Sequence, residues 1–291
     1  MLNKRIMFPF KKNQPTWSYD EIINDLYNFY EIYKKRPIQK NQGGMFFAHM
    51  FALHFILKKI NPELVVESGI FKGQSSWLIE NTLPKAKIIS IDLNLKNREY
   101  VSKNIQYSNL DFKYHDFSNI PENSVVFFDD HQNHIDRLKE AKWFGFKNII
   151  LEDNYPVNRG DFYTVKHAYS NFGFNHVFTY KNFLKTISIL VKKLFKKKIS
   201  KNYLISLDDI SARLRDVKPT NTDFKILEKN IDIYYEFPPI FSNSQNRWGD
   251  SLNEDFYKIE KTLLQESHKN DFNLSEIELN SYNSLTYIKL K

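Results

Sequence analysis

The alternation of apolar and polar positions predicts a helical start to the chain. Residues 19–33 carry apolar side chains at three- and four-residue steps, which is typical of an amphipathic helix, and Pro37 ends it. A second helix is predicted at about 45–59, where the apolar surface is almost continuous. We therefore expect residues 1–60 to form an N-terminal helical cap.

Residues 61–180 follow a different pattern, in which short apolar runs alternate with helical segments. Runs such as Val125-Val126-Phe127-Phe128 are typical of parallel strands that are buried on both faces of a sheet. The repeated order of strand, helix and strand predicts a doubly wound, mostly parallel sheet with right-handed connections. The predicted strands are Leu64–Glu67, Lys87–Leu93, Asp111–His115, Ser124–Asp129 and Asn148–Glu152, and the predicted helices lie at about 74–82, 95–105, 133–144 and 161–172.

The last part of the chain is predicted to complete this sheet. A basic helix is predicted at 183–199, within a helical insertion at 181–230. We expect it to be a solvated amphipathic helix, with a peripheral membrane or anionic-glycan contact through 187–199 as the alternative. The C-terminal segment 231–291 contains predicted strands at Ile231–Phe237 and Leu285–Leu290 and a predicted helix at 255–265. The expected fold class is thus α/β, with a Rossmann-like sheet that an antiparallel strand pair closes.

Composition narrows the class of protein. The 291 residues are 42% hydrophobic and 16% aromatic, which is far too apolar for a disordered chain. The absence of cysteine excludes disulfides and thiolate metal sites, so oxygen or imidazole must hold any metal. The net charge of +8 is spread along the chain and identifies no anionic partner. Because no run is long enough for a membrane span or a signal-peptide core, we expect a soluble, cytoplasmic protein, with a homo-oligomer left open.

The turn after the first predicted strand has the features of a small-ligand site. The apolar run Leu64-Val65-Val66 ends in Glu67, passes through Gly69 and Gly73, and opens a helix that Ser75 or Ser76 can cap. The two glycines let the backbone approach a ligand closely, and the helix start offers N–H donors. The spacing of the glycines differs from the G-x-G-x-x-G turn of NAD sites.

Every later strand of the predicted sheet ends in an acid. Asp92 follows Glu67 by 25 residues, where a nucleotide-binding sheet places a carboxylate that accepts from the ribose hydroxyls. Ligands bind at this edge of a doubly wound sheet. Carboxylates that share one crevice repel one another unless a hard cation lies between them, and the alternative is that these acids cap helices or pair with Lys and Arg. The remaining strand ends are His115-Asp116, Asp129-Asp130-His131 and Glu152-Asp153.

These motifs resemble those of the class I S-adenosylmethionine-dependent methyltransferases over residues 45–180. The turn with Glu67, Gly69 and Gly73 matches the first motif of that family, and Asp92 matches its ribose-binding acid. Asp116 matches the acid that commonly lies near the adenine amino group. The cofactor-binding residues that we expect are therefore Glu67, Gly69, Gly73, Ser75, Asp92 and Asp116.

More narrowly, the acids after the fourth and fifth strands are similar to those of metal-dependent sugar O-methyltransferases of the macrocin and cephalosporin-hydroxylase-like group. The resemblance implies Mg²⁺, or another hard divalent cation, on Asp130, Glu152 and Asp153, with Asp129 as the alternative to Asp130. It also implies His131 or His134 as the catalytic base beside Asp130. The activity that it implies is O-methyl transfer to a hydroxyl of a sugar or similar small polyol.

Two other functions stay open at this point. The positive charge permits an RNA methyltransferase, but the fourth strand ends in Asp-Asp-His and not in the Asn/Asp-Pro-Pro-aromatic motif of amino-methylating nucleic-acid enzymes. The sequence also shows no concentrated basic groove with interleaved aromatic residues, so a nucleic-acid partner is disfavoured. The second alternative is a catalytically inactive methyltransferase-fold protein that binds or scaffolds a partner.

Overall fold

The protein is described by a computed structural model that covers residues 12–157, 159–174, 217–218, 221–245, 249, 261–282 and 284–291. The strands are β1 Leu64–Ser68, β2 Lys87–Ile91, β3 Ile105–Ser108, β4 Ser124–Phe128, β5 Asn148–Leu151, β6 Ile231–Glu236 and β7 Thr286–Leu290. The α-helices are α1 Tyr19–Tyr33, α2 Phe47–Ile60, α3 Gln74–Thr82, α4 His134–Trp143, α5 Val165–Tyr169, α6 Asn221–Asn230 and α7 Glu276–Asn280. Short 3-10 helices lie at Leu95–Asn97, Phe112–Tyr114 and Glu266–Asp271.

The strands form one seven-stranded sheet in the order β3-β2-β1-β4-β5-β7-β6. β1 to β5 are parallel, whereas β7 runs antiparallel to both β5 and β6. The predicted fold class is therefore confirmed, including the antiparallel pair that closes the sheet. On the outer edge, the backbone of Asn13 exchanges hydrogen bonds with Asp232 and Tyr234 of β6.

Alternate residues of the buried strands divide between two apolar cores, one on each face of the sheet. Val65 of β1 packs with α1, α2 and α3, whereas its neighbour Val66 packs with α4 and α5. The first helix begins where the sequence predicts, because Ser18 and Glu21 form a capping box. The N-terminal helices α1 and α2 thus form part of the layer on one face of the sheet.

The third strand was predicted in the wrong place. β3 occupies Ile105–Ser108, within and after the segment for which a helix was predicted, and that segment retains only the 3-10 turn Leu95–Asn97. β3 is an edge strand with one fully buried residue, so it lacks the continuous apolar run that marks the central strands. The predicted strand Asp111–His115 forms a 3-10 turn instead, because the Asp111 carboxylate caps the Lys113 amide.

Other differences lie after β5. The helix predicted at 161–172 is confined to Val165–Tyr169, with Thr164 as its cap, and α6 begins where no element was predicted. The predicted basic helix at 183–199 lies outside the described residues. So does most of the helix predicted at 255–265, and its described part, 261–265, is not helical. In the described ranges, no helix combines the length and apolarity needed to cross a membrane.

Candidate functional site

Two cavities adjoin at the carboxyl edge of the parallel strands. The glycine-turn cavity, of about 250 Å³, is lined by residues that include Gly69, Phe71, Asp92, Asp111, Asp130 and Arg137. The carboxylate cavity, of about 430 Å³, is lined by residues that include Phe46, His49, Glu152, Asp153, Tyr155 and Tyr282. Both are also lined by Gly43, Gly44, Asp129 and His131, so these four residues form their common boundary.

The glycine turn is built for close backbone contact. Gly69 has φ +102°, and a Cβ at this position would lie 2.1 Å from the Asp129 carbonyl oxygen, so only glycine fits. Asp92 Oδ2 accepts hydrogen bonds from the amides of Ile70 and Phe71, both at 3.0 Å. Asp92 therefore ties the turn to the end of β2 while it lines the cavity.

Glu67 lies in the core beneath this turn and lines neither cavity. Its Oε2 accepts hydrogen bonds from the hydroxyls of Ser76 and Ser90, both at 2.6 Å. Burial raises the pKa of Glu67 against the effect of hydrogen bonds from Ser75, Ser76 and Ser90. The structure thus places Glu67 and Ser75 under the turn, where they link β1, β2 and α3.

Asp116 also lies outside both cavities. It is exposed, and its carboxylate accepts from the Ser118 amide, which lowers the pKa of Asp116. Asp111 lines the glycine-turn cavity in its place. Because β3 ends at Ser108 and not at His115, the first acid after that strand is Asp111.

Arg137 holds two cavity acids together. Its guanidinium contacts Asp111 through Nη1 and Nη2, at 2.9 and 2.6 Å, and Asp130 through Nη2, at 2.8 Å. Asp130 Oδ2 also accepts from the Ser68 hydroxyl at 2.6 Å. Although burial opposes ionisation, the hydrogen bonds and charge of Arg137 lower the pKa of Asp111.

The carboxylate cavity brings together Asp129, Glu152 and Asp153. Consecutive strand residues point to opposite faces, so Glu152 and Asp153 can converge only where the strand has ended. β5 ends at Leu151, and Asp153 adopts a left-handed φ of +57°. Burial, and then the charges of Glu152 and Asp153, raise the pKa of Asp129 well above its ordinary value.

Two histidines line this cavity, one from α2 and one from the segment between β4 and α4. His49, from α2, places Nδ1 3.0 Å from Glu152 Oε1. His131 has φ +54° and places Nδ1 3.0 Å from Asp161 Oδ2 and Nε2 3.9 Å from Asp153 Oδ2. Burial alone would lower the pKa of His131, but Asp161, and then Asp153 and Glu152, outweigh that effect and raise it.

His134 does not join them. It is the first residue of α4, lines neither cavity, and packs its ring against Phe162 with the centroids 4.9 Å apart. Burial lowers the pKa of His134 to about 3. Of the two histidines that the sequence suggests as the base, only His131 lies in the site.

The three predicted metal ligands are not brought together. Glu152 and Asp153 line the carboxylate cavity, whereas Asp130 lines the other cavity and pairs with Arg137. Asp129, the alternative from the sequence, accompanies Glu152 and Asp153. Within the described ranges, no group of three or more Asp, Glu, His or Cys residues is arranged as a ready metal site. The donor set therefore does not fit a bound cation as it stands, and we derive no chemical step through one.

Several site residues were not found from the sequence. His49 lies within a continuous apolar helix, 103 residues before Glu152, and nothing local distinguishes it from a core histidine. Arg137 lies in α4, and nothing in the spacing of residues along that helix marks it as a site residue. Asp111 could have been found if the short alternating segment Ile105–Ser108 had been recognised as the edge strand.

Comparisons with known proteins complete the description of the site. No family model and no curated protein matches the sequence. An apo structure of CmcI is 17% identical, with a TM-score of 0.33 over 50% of this chain and 69% of that one. A Mg-SAM structure of CmcI is 19% identical, with a TM-score of 0.32 over the same shares. The plantazolicin methyltransferase BpumL, in complex with a monoazolic desmethylPZN analog and SAH, is 14% identical, with a TM-score of 0.38 over 94% of this chain and 91% of that one. All three solved structures are less than 20% identical to this chain and have TM-scores below 0.4.

Proposed function

We propose that this chain is an S-adenosylmethionine-dependent methyltransferase that methylates a hydroxyl of a sugar or similar small polyol. The observation that carries the proposal is the pair of adjoining cavities, which meet at Asp129 and His131 on the carboxyl edge of the sheet. Two reactants that occupy such neighbouring cavities are held in fixed proximity, and positioning of this kind supplies much of the rate of a group transfer.

The glycine-turn cavity is the proposed donor site. Gly69 allows the close backbone approach, and Asp92 lies where a ribose hydroxyl can donate to it. S-adenosylmethionine supplies an electrophilic methyl group on a sulfonium. Asp111 and Asp130 add hydrogen-bond acceptors to the same cavity. This lining does not require a phosphate group on the methyl donor.

The carboxylate cavity is the proposed acceptor site. Asp129, Glu152 and Asp153 can accept hydrogen bonds from hydroxyls, and Phe46 and Tyr155 supply apolar walls. None of the described residues that line this cavity is Lys or Arg. Carboxylates repel phosphate, so this lining supports a polyol acceptor over RNA.

His49 is the proposed general base. Glu152 Oε1 lies 3.0 Å from His49 Nδ1, so the carboxylate orients the imidazole and favours the tautomer that carries its proton on Nδ1, in which Nε2 is the basic nitrogen. The hydroxyl proton passes to Nε2, the acceptor oxygen bonds to the methyl carbon, and the carbon–sulfur bond breaks to leave a neutral thioether. His131 lies at the boundary between the cavities, and Asp161, Asp153 and Glu152 raise its pKa against the effect of burial.

The resemblance also implies divalent-metal assistance, and this stays a prediction of the proposal. Asp129, Glu152 and Asp153 offer the hard oxygen ligands that Mg²⁺ prefers. A cation would have to draw them together, because they are not arranged as a metal site in the described structure. The chemistry derived for His49 stands without it.

Two measurements on the full chain test the proposal. Isothermal titration with S-adenosylhomocysteine should give saturable binding in the micromolar range, and Gly69→Ala should abolish it. Incubation with methyl-labelled S-adenosylmethionine and a panel of sugars should then transfer label to a hydroxyl. No binding at millimolar ligand would remove the whole class. Binding without transfer to any acceptor would instead support an inactive scaffold.

A further inference from the structure

Asn154 directly follows the acid pair after β5, and its side chain is completely buried. The amide nitrogen donates to the Tyr234 hydroxyl at 2.9 Å and to the Thr286 hydroxyl at 3.0 Å. The amide oxygen accepts from the backbone N–H of Lys166 at 3.1 Å. One side chain therefore joins the end of β5 to β6, β7 and α5.

These contacts belong to a closed network of four residues. The Tyr234 hydroxyl donates to Glu236 Oε1 at 2.7 Å, and Glu236 Oε2 lies 2.6 Å from Lys166 Nζ. Because the backbone of Lys166 already donates to Asn154, the network returns to its starting point. The Lys166 side chain is 1% exposed, so water screens this ion pair only weakly.

The network requires an amide at position 154. The Tyr234 hydroxyl gives its proton to Glu236, and the Thr286 hydroxyl gives its proton to the Ser284 carbonyl oxygen. Both hydroxyl oxygens therefore act as acceptors towards residue 154. Asparagine supplies the two donors that they need, whereas an ionised aspartate supplies none.

The turn next to Asn154 is the one that brings two acids into the carboxylate cavity. Asp153 adopts a left-handed φ of +57°, which a residue other than glycine keeps only when its surroundings over-determine the conformation. In a regular strand Glu152 and Asn154 would share a face and Asp153 would point the other way. Instead Glu152 and Asp153 line the cavity, and Asn154 does not.

We infer that Asn154 is a positioning residue, whose network holds Glu152 and Asp153 in the wall of the carboxylate cavity. Glu152 in turn orients His49, so the network acts on the base through that carboxylate. The inference rests on the proposed function, which makes this cavity the acceptor site. When the network is broken the turn relaxes, and a displacement of about 1 Å at reacting groups costs about 10²-fold in rate.

The first test is Tyr234→Phe, which removes one hydroxyl of the network and keeps the aromatic ring that packs against Tyr169. Tyr287→Phe is the matched control, because the Tyr287 hydroxyl donates to Asn148 Oδ1 at 2.8 Å, at the opposite end of β5. Both variants should have a lower melting temperature than the wild-type chain.

Kinetics then separate positioning from stability. With methyl-labelled S-adenosylmethionine and the sugar that the wild-type chain methylates best, Tyr234→Phe should lower kcat at least tenfold and raise the KM for the sugar. Tyr287→Phe should change neither by more than about twofold. The affinity of both variants for S-adenosylhomocysteine should stay within about twofold, since neither tyrosine lines the glycine-turn cavity. Asn154→Asp keeps the shape of the side chain, and should lower kcat by about 10²-fold.

A crystal structure of Tyr234→Phe gives a readout that does not depend on activity. The distance from His49 Nδ1 to Glu152 Oε1 should exceed about 3.5 Å, beyond hydrogen-bond reach. Wild-type kcat in Tyr234→Phe, or an equal loss of kcat in Tyr287→Phe, would overturn the inference and leave the proposed function standing. If the wild-type chain neither binds S-adenosylhomocysteine nor transfers label, the proposed function fails, and an unchanged distance in the crystal would overturn the positioning role as well. If Asn154→Asp does not fold, Tyr234→Phe decides the question alone.

Discussion

His49 Nδ1 lies 3.0 Å from Glu152 Oε1, which joins the N-terminal helical layer to the end of β5. This contact gives the helix α2 a direct part in the candidate site. Nine of its neighbours in α2 are buried apolar residues, so the helix is held rigidly against the sheet. A base on such a helix keeps its position when the acceptor changes.

Loss of His49 should reduce turnover without a loss of donor binding. We expect His49→Ala to lower kcat by about 10²–10⁴-fold, because the hydroxyl proton then has no positioned acceptor. The affinity for S-adenosylhomocysteine should stay within about twofold, measured by isothermal titration. His115→Ala, at a histidine that lines neither cavity, serves as the control and should keep full activity. Unchanged kcat in His49→Ala would assign the proton to another group.

Substitutions at Gly69 and Gly145 separate the cost of backbone strain from the cost of a steric collision. Gly69→Ala should lower the free energy of unfolding by at least about 3 kcal/mol, since the new Cβ meets the Asp129 backbone. Gly145 has a similar φ of +88°, but nothing lies within 4 Å of its Cβ position. Gly145→Ala should therefore cost only about 1 kcal/mol. If urea denaturation gives the two variants the same loss of unfolding free energy, the backbone at Asp129 can move away from residue 69.

Buried histidines should make the fold sensitive to acid. Burial lowers the pKa of His167 to about 4, from an ordinary value of 6.5. Between these pH values the unfolded chain binds a proton that the folded chain does not, so stability is complete above pH 6.5 and falls as the pH falls towards 4. The contribution is roughly 3 kcal/mol.

The measurement is urea denaturation at several pH values with His167→Asn as the comparison. The variant should show a shallower loss of stability between pH 6.5 and 4, although it is less stable at pH 7. His54 and His134, whose pKa values burial lowers to about 4 and about 3, should keep the remaining slope in that variant. Parallel curves for the two proteins would place the acid sensitivity elsewhere.

Chelation tests the magnesium that the resemblance implies. If Asp129 acts with Glu152 and Asp153, EDTA should abolish transfer, Mg²⁺ should restore it, and Asp129→Ala should raise the Mg²⁺ concentration required at least tenfold. Asp130→Asn should leave that requirement unchanged and should lower the free energy of unfolding by about 1–3 kcal/mol, because it weakens a buried pair with Arg137. A shifted Mg²⁺ requirement in Asp130→Asn would return the ligand role to Asp130. Full activity in EDTA would remove the metal from the proposal.

Much of the fold could be predicted from the sequence, because buried parallel strands are continuous apolar runs. The run from Val125 to Phe128 has the pattern of a buried strand, and the helix Gln74–Thr82 follows the glycine turn directly. The edge strand Ile105–Ser108 escaped prediction because only one of its residues is fully buried. In such a strand the apolar signal disappears even though the hydrogen-bonded pairing with β2 remains.

At the end of the fourth strand the site was predictable only to within one residue. The order Asp129-Asp130-His131 does not say which acid faces which cavity, since a change of one position turns a side chain to the other side. The left-handed φ angles of His131 and Asp153 decide this, and no local residue pattern specifies them. Glu67 lies inside the core, because an acid at the end of an apolar run can be buried when serine hydroxyls such as those of Ser76 and Ser90 donate hydrogen bonds to it.

The position of β7 between β5 and β6 constrains the order in which the sheet can form during synthesis. Among the described strands, β6 pairs only with β7. Its residues, synthesised some fifty positions earlier, must therefore wait for Thr286–Leu290 to leave the ribosome. Until then the edge of β5 that β7 later covers is open to pairing with another chain. The Asn13 segment can join β6 only afterwards, so the first described residues are among the last to find their place.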